Sequence, residues 1–362
     1  MSDTLLFGHD GLARAIAVAF RAAGTPDDTA LAIADMLVDA NLSGHDSHGI
    51  QMVKYYLDCQ AQGGLDAHAT PRVFDESGAV VRIDGGRGFG AVTGAFAMQH
   101  GIANARKNGV ALVALANSHH LGRIGRWAEL CLESGMVSVH FVNVWGHRPL
   151  VAPWGGRKIR LGTNPICAGM PATANHPAFV LDFATSRVAF GKVGVAFDKG
   201  EVLPEGVMMD RDGAMTRDPG AMVDNEDGGA LIAMGEHKGS GLAVLCDLLA
   251  GVLTGNGVGT PERQDGDTTI NGMLSFVIDP DALGGFAAME SEIEALYDWV
   301  RSSLTAEGHD AILLAGDPER IAREDRMAHG IPLAAAAWEG FIEAAMLQGV
   351  TREALEQAVS SS

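Results

Sequence analysis

The sequence predicts a mixed α/β (α+β) protein with two lobes: a helical one built from both chain ends and a sheet-rich one from the middle. Three observations predict it. Residues 10–40 place apolar side chains at helical spacing. From about residue 79 the pattern changes to short β-branched runs divided by glycines. Helical spacing then returns from residue 318 onward. With 362 residues and 47% apolar content, the chain can build one large domain or two to three smaller ones, each with a sizeable core.

The elements follow in order. Asp10 is placed to cap a helix whose stripe is Leu12, Ala15, Ile16 and Ala19. Thr25-Pro26 reads as a cap and a first-turn proline. The helix it opens carries Ile33, Met36, Leu37 and Ala40 on one face and delivers the chain to SGHDSHG at 43–49. Strands are predicted at 79–84, 110–116, 137–142, 178–183, 273–278 and 311–315, and helices near 91–107, 121–134, 238–254, 287–304 and 318–328. A last helix aligns Trp338, Phe341, Ile342 and Ala345. Residues 198–230, rich in Gly, Asp and Met, read as a long surface excursion. The lobes implied are 1–75 with 305–362, and 76–304.

Composition excludes several classes. A formal charge of −19 leaves no basic face for phosphate backbones, so nucleic acid is not an expected partner. Cys59, Cys131, Cys167 and Cys246 are far apart with no CxxC pair, which argues against a disulfide scaffold and a cysteine zinc site. The first residues do not form a signal peptide, since Asp3, Arg14 and Arg21 break the pattern. The longest apolar helix, around LAVLCDLLAGVLTG, is too short for a bilayer and contains Asp247. A soluble, cytoplasmic protein without a membrane partner is expected.

GGRGFGA at 85–91 follows one strand and opens a helix that leads to another. Glycines so placed let a backbone approach a pyrophosphate at a helix N-terminus. The Rossmann fingerprint also needs an acid at the end of the second strand, and here Asn117 stands there. A glycine-rich turn before a helix is the better reading. GEHKGSG at 235–241 likewise lacks the P-loop spacing.

Three histidine clusters stand out: His45/His48, His119/His120 and His237 beside Lys238. One histidine in a fold is more often a packed side chain than a ligand; three clusters in glycine-bracketed turns point to chemistry. One reading is a metal site using His45, His48, His120 and Asp46, since zinc accepts His/Asp mixtures. Against it, the His45/His48 pair lacks HExxH geometry. The other reading is acid–base catalysis, which a histidine performs near neutral pH, with Ser47 on the same oxygen. A nucleophilic serine triad lacks its GxSxG elbow.

Several stretches together resemble the type-2 malate/L-lactate dehydrogenase family: SGHDSHGIQMVKYY, NSHHLGRIGRW, GTNPI, DFATSRVAFGK, GEHKGSGLAVLCDLLAGVLTG and GDPER followed by GIP. They span nearly the whole chain in the family's order. SHGI-x-M is similar to the hydroxycarboxylate dehydrogenase B-like branch. The resemblance implies a non-Rossmann dinucleotide-binding sheet domain, a homodimer with its site between subunits, and NAD or NADP as cofactor, NAD by the nearer branch. It implies hydride exchange between 2-hydroxy and 2-oxo acids, with cyclic imino acids as the alternative substrates. Nucleotide contacts are implied at Gly122, Arg123, Ile124, Asp182, Phe183, Ala184, Thr185, Ser186, His237, Lys238, Asn271, Gly316, Asp317, Pro318 and Glu319, with Lys192 as an added charge. The acid–base residue is implied to be His48, with Ser47 orienting the oxygen and His120 as second choice; His45 is structural.

One departure concerns the substrate. Many members read SHGxxR, where the arginine grips a carboxylate; here Met52 stands in its place. Arg123 and Arg148 are the candidate replacements, and Met52 itself suits an apolar substrate group. The rivals to this reading are a non-catalytic nucleotide- or acid-binding protein and a His-ligated metallohydrolase without a nicotinamide.

Overall fold

The computed structural model describes residues 4–223, 228–263 and 268–360. Its helices are α1 (His9–Ala22), α2 (Asp27–Leu42), α3 (Met52–Ala61), α4 (Gly90–Asn108), α5 (Gly125–Glu133), α6 (Phe190–Lys199), α7 (Gly220–Val223), α8 (His237–Cys246), α9 (Phe286–Arg301), α10 (Asp317–His329), α11 (Ala335–Met346) and α12 (Arg352–Ser360). Its strands are β1 (Thr4–Phe7), β2 (Arg72–Ser77), β3 (Val80–Asp84), β4 (Val110–Ser118), β5 (Val137–Trp145), β6 (Ile166–Met170), β7 (Phe179–Phe183), β8 (Met208–Met209), β9 (Met215–Thr216), β10 (Ala230–Leu231), β11 (Ile270–Ile278) and β12 (Ile331–Ala334).

The predicted stripes of α1 and α2 are buried, Leu12, Ile16, Ile33 and Leu37 completely. Their caps differ from expectation. Gly8 caps α1 and Asp10 sits inside the first turn, where a carboxylate favours the helix dipole. Pro26 is itself the α2 cap, while the Thr25 hydroxyl donates to Gln60 Oε1 at 3.1 Å.

Both chain ends pack together. β1 pairs antiparallel with β12. α12 lies against α1 at Gly11, where a Cβ would come within 2.3 Å of the Val359 carbonyl oxygen. The seven-stranded sheet runs β2-β3-β4-β11-β5-β6-β7. Within it β3 and β4 are parallel, joined through α4, and the other neighbours are antiparallel. One apolar cluster joins α1, α2, α3 and α11 to the sheet at Val81, Val113, Leu115 and Met273.

Two further predictions need correction. Residues 311–315 form no strand: Leu314 N–H donates to Asp317 Oδ2 at 2.9 Å, drawing the run into the start of α10. Its last residue, Ala315, only accepts from Val180 N–H at the sheet edge, 3.1 Å away. Residues 198–230 are more than a surface excursion. They contribute β8, β9 and α7, and Leu203, Val207, Met208 and Met222 join a second buried cluster with Val151, Val193 and Leu231. Residues 224–227 of that stretch lie outside the described residues.

The predicted helix at 238–254 is α8 continued by a π-helical segment, Asp247–Leu253. Among the described residues no helix is long and apolar enough to cross a membrane. The four cysteines are buried, and none of them forms a disulfide among the described residues.

Candidate active site

The turn after α2 is built to hold a rigid side chain. Asp46–His48 forms one 3-10 turn. Buried Asn41 spans it, donating from Nδ2 to Asp46 Oδ1 at 2.7 Å and accepting from Ile50 N–H at 2.9 Å. Gly49 is required there, because a Cβ would fall 2.1 Å from Asn41 Oδ1. Arg326 of α10 grips Asp46 from outside, Nη1 to Oδ1 at 2.6 Å and Nη2 to Oδ2 at 3.1 Å. His45 turns to Glu319, its Nε2 3.1 Å from Oε1. Asp46 and His45 are thus spent on the scaffold and do not converge with His48. Among the described residues no group of three or more His, Cys, Asp or Glu side chains could hold a metal ion.

His48 faces His120 across a stacked contact, ring centroids 5.6 Å apart and planes 23° from parallel. Ser47 Oγ lies 3.1 Å from His48 Nδ1. His120 Nδ1 lies 2.7 Å from the hydroxyl of Tyr56, on α3. Burial pulls the His48 pKa down to about 4, helped by the charges of His45 and Arg123. Burial also holds His120 well below the ordinary value, with His48, His119 and His147 adding repulsion. Both rings are therefore neutral at neutral pH. His119 points away into the core, packed on Tyr55 and Tyr56, and among the described residues neither ring nitrogen is hydrogen-bonded.

The 117–124 loop that carries His120 explains the glycine-rich turn. A Cβ on Gly90 would lie 2.0 Å from the His120 carbonyl oxygen. Arg87 N–H donates to Asn117 O at 2.7 Å and His119 N–H to Gly88 O at 3.0 Å. The glycines let α4 close on this loop, so protein backbone occupies the place a Rossmann pyrophosphate would need. Asn271 holds the loop from the sheet, accepting from Leu121 N–H at 2.9 Å and donating to Asn143 O at 3.0 Å.

The residues for which the resemblance implies nucleotide contacts fall into two groups. In the first, the polar side-chain atoms are already bonded within the protein. Arg123, almost fully buried, pairs with Asp39 at 2.9 Å and with Glu129. Asp182 Oδ2 accepts from Gly125 N–H at 2.7 Å. The Thr185 hydroxyl donates to Thr163 O at 2.9 Å and the Ser186 hydroxyl to Val188 O at 2.7 Å. Asp317 is bound by Arg301, Arg320 and Leu314 N–H. The second group is open to solvent. Lys192, His237 and Lys238 are exposed, and among the described residues none of them forms an ion pair. His237 and Lys238 open α8, where the helix dipole favours an anion.

Of the residues weighed for the substrate carboxylate, Arg123 is committed to its acids. Arg148 reaches Met222 O at 3.4 Å. Met52 opens α3, partly buried against the main cluster. α6 closes over the Asp46–His48 turn: a Cβ on Gly191 would come within 2.6 Å of Ser47 Cβ. Sequence reasoning missed Tyr56, Asn41 and Arg326. Only Tyr56 left a signal, as part of the KYY that follows the histidine turn.

Comparison with known proteins identifies the family. The sequence model of the malate/L-lactate dehydrogenase family matches residues 7–341. Hydroxycarboxylate dehydrogenase B of Escherichia coli (strain K12) is 41% identical over 346 residues, 94% of either chain. The Delta(1)-pyrroline-2-carboxylate/Delta(1)-piperideine-2-carboxylate reductase of Pseudomonas syringae pv. tomato is 37% identical over 328 residues, 89% of this chain and 91% of its own. The solved malate dehydrogenase of Pyrococcus horikoshii OT3 superposes with a TM-score of 0.84 at 30% identity, over 97% of this chain and 98% of its own.

Proposed function

The chain belongs to the malate/L-lactate dehydrogenase family, and from that premise we propose that it is a cytoplasmic, homodimeric, NAD-dependent oxidoreductase that interconverts 2-hydroxy and 2-oxo acids. The observation that carries the reading is the pair of half-buried, neutral imidazoles His48 and His120 at 5.6 Å, with Ser47 on His48 Nδ1.

The residues fit the cofactor. Lys192 and Lys238 offer exposed positive charge, and His237 an exposed ring at a helix N-terminus, for its phosphates. The turns at 122–124, 182–186 and 316–319 offer backbone edges, since their polar side chains hold the turns themselves. When bound, the nicotinamide supplies or takes up the hydride.

His48 moves the proton. In oxidation its neutral ring takes the proton of the substrate hydroxyl; in reduction its protonated ring returns it to the carbonyl oxygen. Ser47 sets the orientation of the His48 ring. Arg326 and Asn41 keep the Asp46–His48 turn from shifting, which matters because small displacements of a catalytic group cost large factors in rate. Met52 lines the site with a flexible apolar surface, which favours a 2-oxo acid with a bulky apolar group such as phenylpyruvate. The relative that reduces cyclic imino acids makes those the second substrate class to try.

The test is oxidation of NADH and NADPH, followed by absorbance, against pyruvate, oxaloacetate, 2-oxoglutarate, phenylpyruvate and a cyclic imino acid. Turnover with NADH and phenylpyruvate above pyruvate is expected. No turnover and no cofactor binding would refute the assignment.

A further inference from the structure

We propose that Tyr56 is a positioning residue that locks His120 in its Nε2–H form, so that the neutral ring serves as a fixed hydrogen-bond donor to the substrate oxygen. The claim deepens the proposed function and rests on it for the identity of that oxygen. The tautomer itself follows from the protein alone.

Tyr56 is 1% exposed, and its hydroxyl lies 2.7 Å from His120 Nδ1. Among the described residues that hydroxyl has no second partner. A buried phenol must place its proton on an acceptor. Here the acceptor within reach is Nδ1, which must then carry a lone pair, and the ring proton resides on Nε2. The reverse arrangement, with Nδ1–H donating to the phenol oxygen, strands the phenol proton in the core. Burial raises the Tyr56 pKa far above its ordinary value, so the phenol keeps its proton throughout the working range. The Tyr56 ring cannot swing away. It is wedged edge-on against Phe89 at 6.0 Å and against His119 at 5.6 Å.

The two stacked histidines then divide the work. His48, whose Nδ1 lies beside the Ser47 hydroxyl, is free to change protonation. His120 keeps one proton in one place and polarises the oxygen on which charge develops, as a preorganised donor should.

The experiment compares wild type with Tyr56→Phe, which keeps the ring in the core and removes the hydroxyl. Imidazole ¹⁵N spectra of cofactor-free protein report the tautomer, with the His120 signals identified by their loss in His120→Asn. In wild type, His120 Nδ1 should resonate as an unprotonated ring nitrogen and Nε2 as a protonated one. In folded Tyr56→Phe the two should move toward an averaged pair. The best substrate should show kcat down about tenfold with KM for NADH unchanged. A wild-type Nδ1–H spectrum overturns the proposal, as does a His120 spectrum that Tyr56→Phe leaves in place. A shifted tautomer with unchanged kcat removes the catalytic role. The spectra need no substrate, so they decide the tautomer even where the substrate class is wrong.

Discussion

The pH dependence of the two reaction directions tests the state of His48. Burial and the nearby His45 and Arg123 charges lower its pKa from 6.5 to about 4 in the free enzyme. At pH 7, about three units higher, roughly one molecule in a thousand carries the proton that reduction requires. Free-enzyme ionisation appears in kcat/KM. For reduction of a 2-oxo acid, kcat/KM should therefore climb about tenfold per unit as pH falls from about 8 to 5, without levelling. For oxidation of the matching hydroxy acid, which needs the neutral ring, it should stay flat over the same range. The assay is initial rates in both directions at constant ionic strength, with circular dichroism confirming the fold at each pH. A reduction profile that levels below about pH 6.5 would show an ordinary, solvated histidine, and the assignment of a desolvated acid–base residue would fail.

Three further outcomes are expected. His48→Asn should lower turnover by about 10²–10⁴-fold while NADH affinity stays near normal; loss of NADH binding instead would move His48 out of the proton-transfer role. Met52→Arg should raise kcat/KM for dicarboxylic or small 2-oxo acids relative to phenylpyruvate, and an unchanged ranking would place Met52 outside the pocket. His140 is fully buried between Ser138 and Ser275, with its pKa pulled down to about 3 by burial. Because the folded value lies below the unfolded one, its contribution to stability is complete above about pH 6.5 and is lost as pH falls toward 3. Between about pH 6.5 and 4.5 the loss is about 2 kcal/mol from this one group. His140→Gln should flatten that part of the urea-unfolding profile, and parallel wild-type and variant profiles would contradict it.

Much of this fold was legible because burial writes a period into the chain. The α1 and α2 stripes and the runs around Val113, Val139 and Phe276 sit on elements of the expected type. The strand Arg72–Ser77 escaped because it is a mostly exposed edge strand with charged residues where alternation should appear. Ile166–Met170 escaped because a short run interrupted by glycine has no clear period. The apolar run at 311–315 misled because helix entry and strand look alike over five residues; the buried Asp317 decides for the helix.

At the site, residue types were legible and pairings were not. SGHDSHG and NSHHLG announced polar chemistry in glycine turns, and the missing acid after GGRGFGA argued against a Rossmann pyrophosphate. Nothing in local sequence brings Tyr56 to His120, 64 positions on, or Arg326 to Asp46, 280 away. Nor does it say that Arg123 meets two carboxylates before any substrate arrives. Those facts belong to the tertiary fold, which alone decides whether a charged side chain is available or already bonded.

The central claim is direct hydride exchange at C2 of a 2-hydroxy acid, and isotope transfer tests it most directly. NADH carrying deuterium at the transferable C4 position is incubated with the preferred 2-oxo acid, and the product is analysed by mass spectrometry and proton NMR. The account predicts a hydroxy acid one mass unit heavier, with deuterium at C2 and none gained from heavy water. A product that takes its C2 hydrogen from solvent, or consumption of the acid without matching oxidation of NADH, would contradict it.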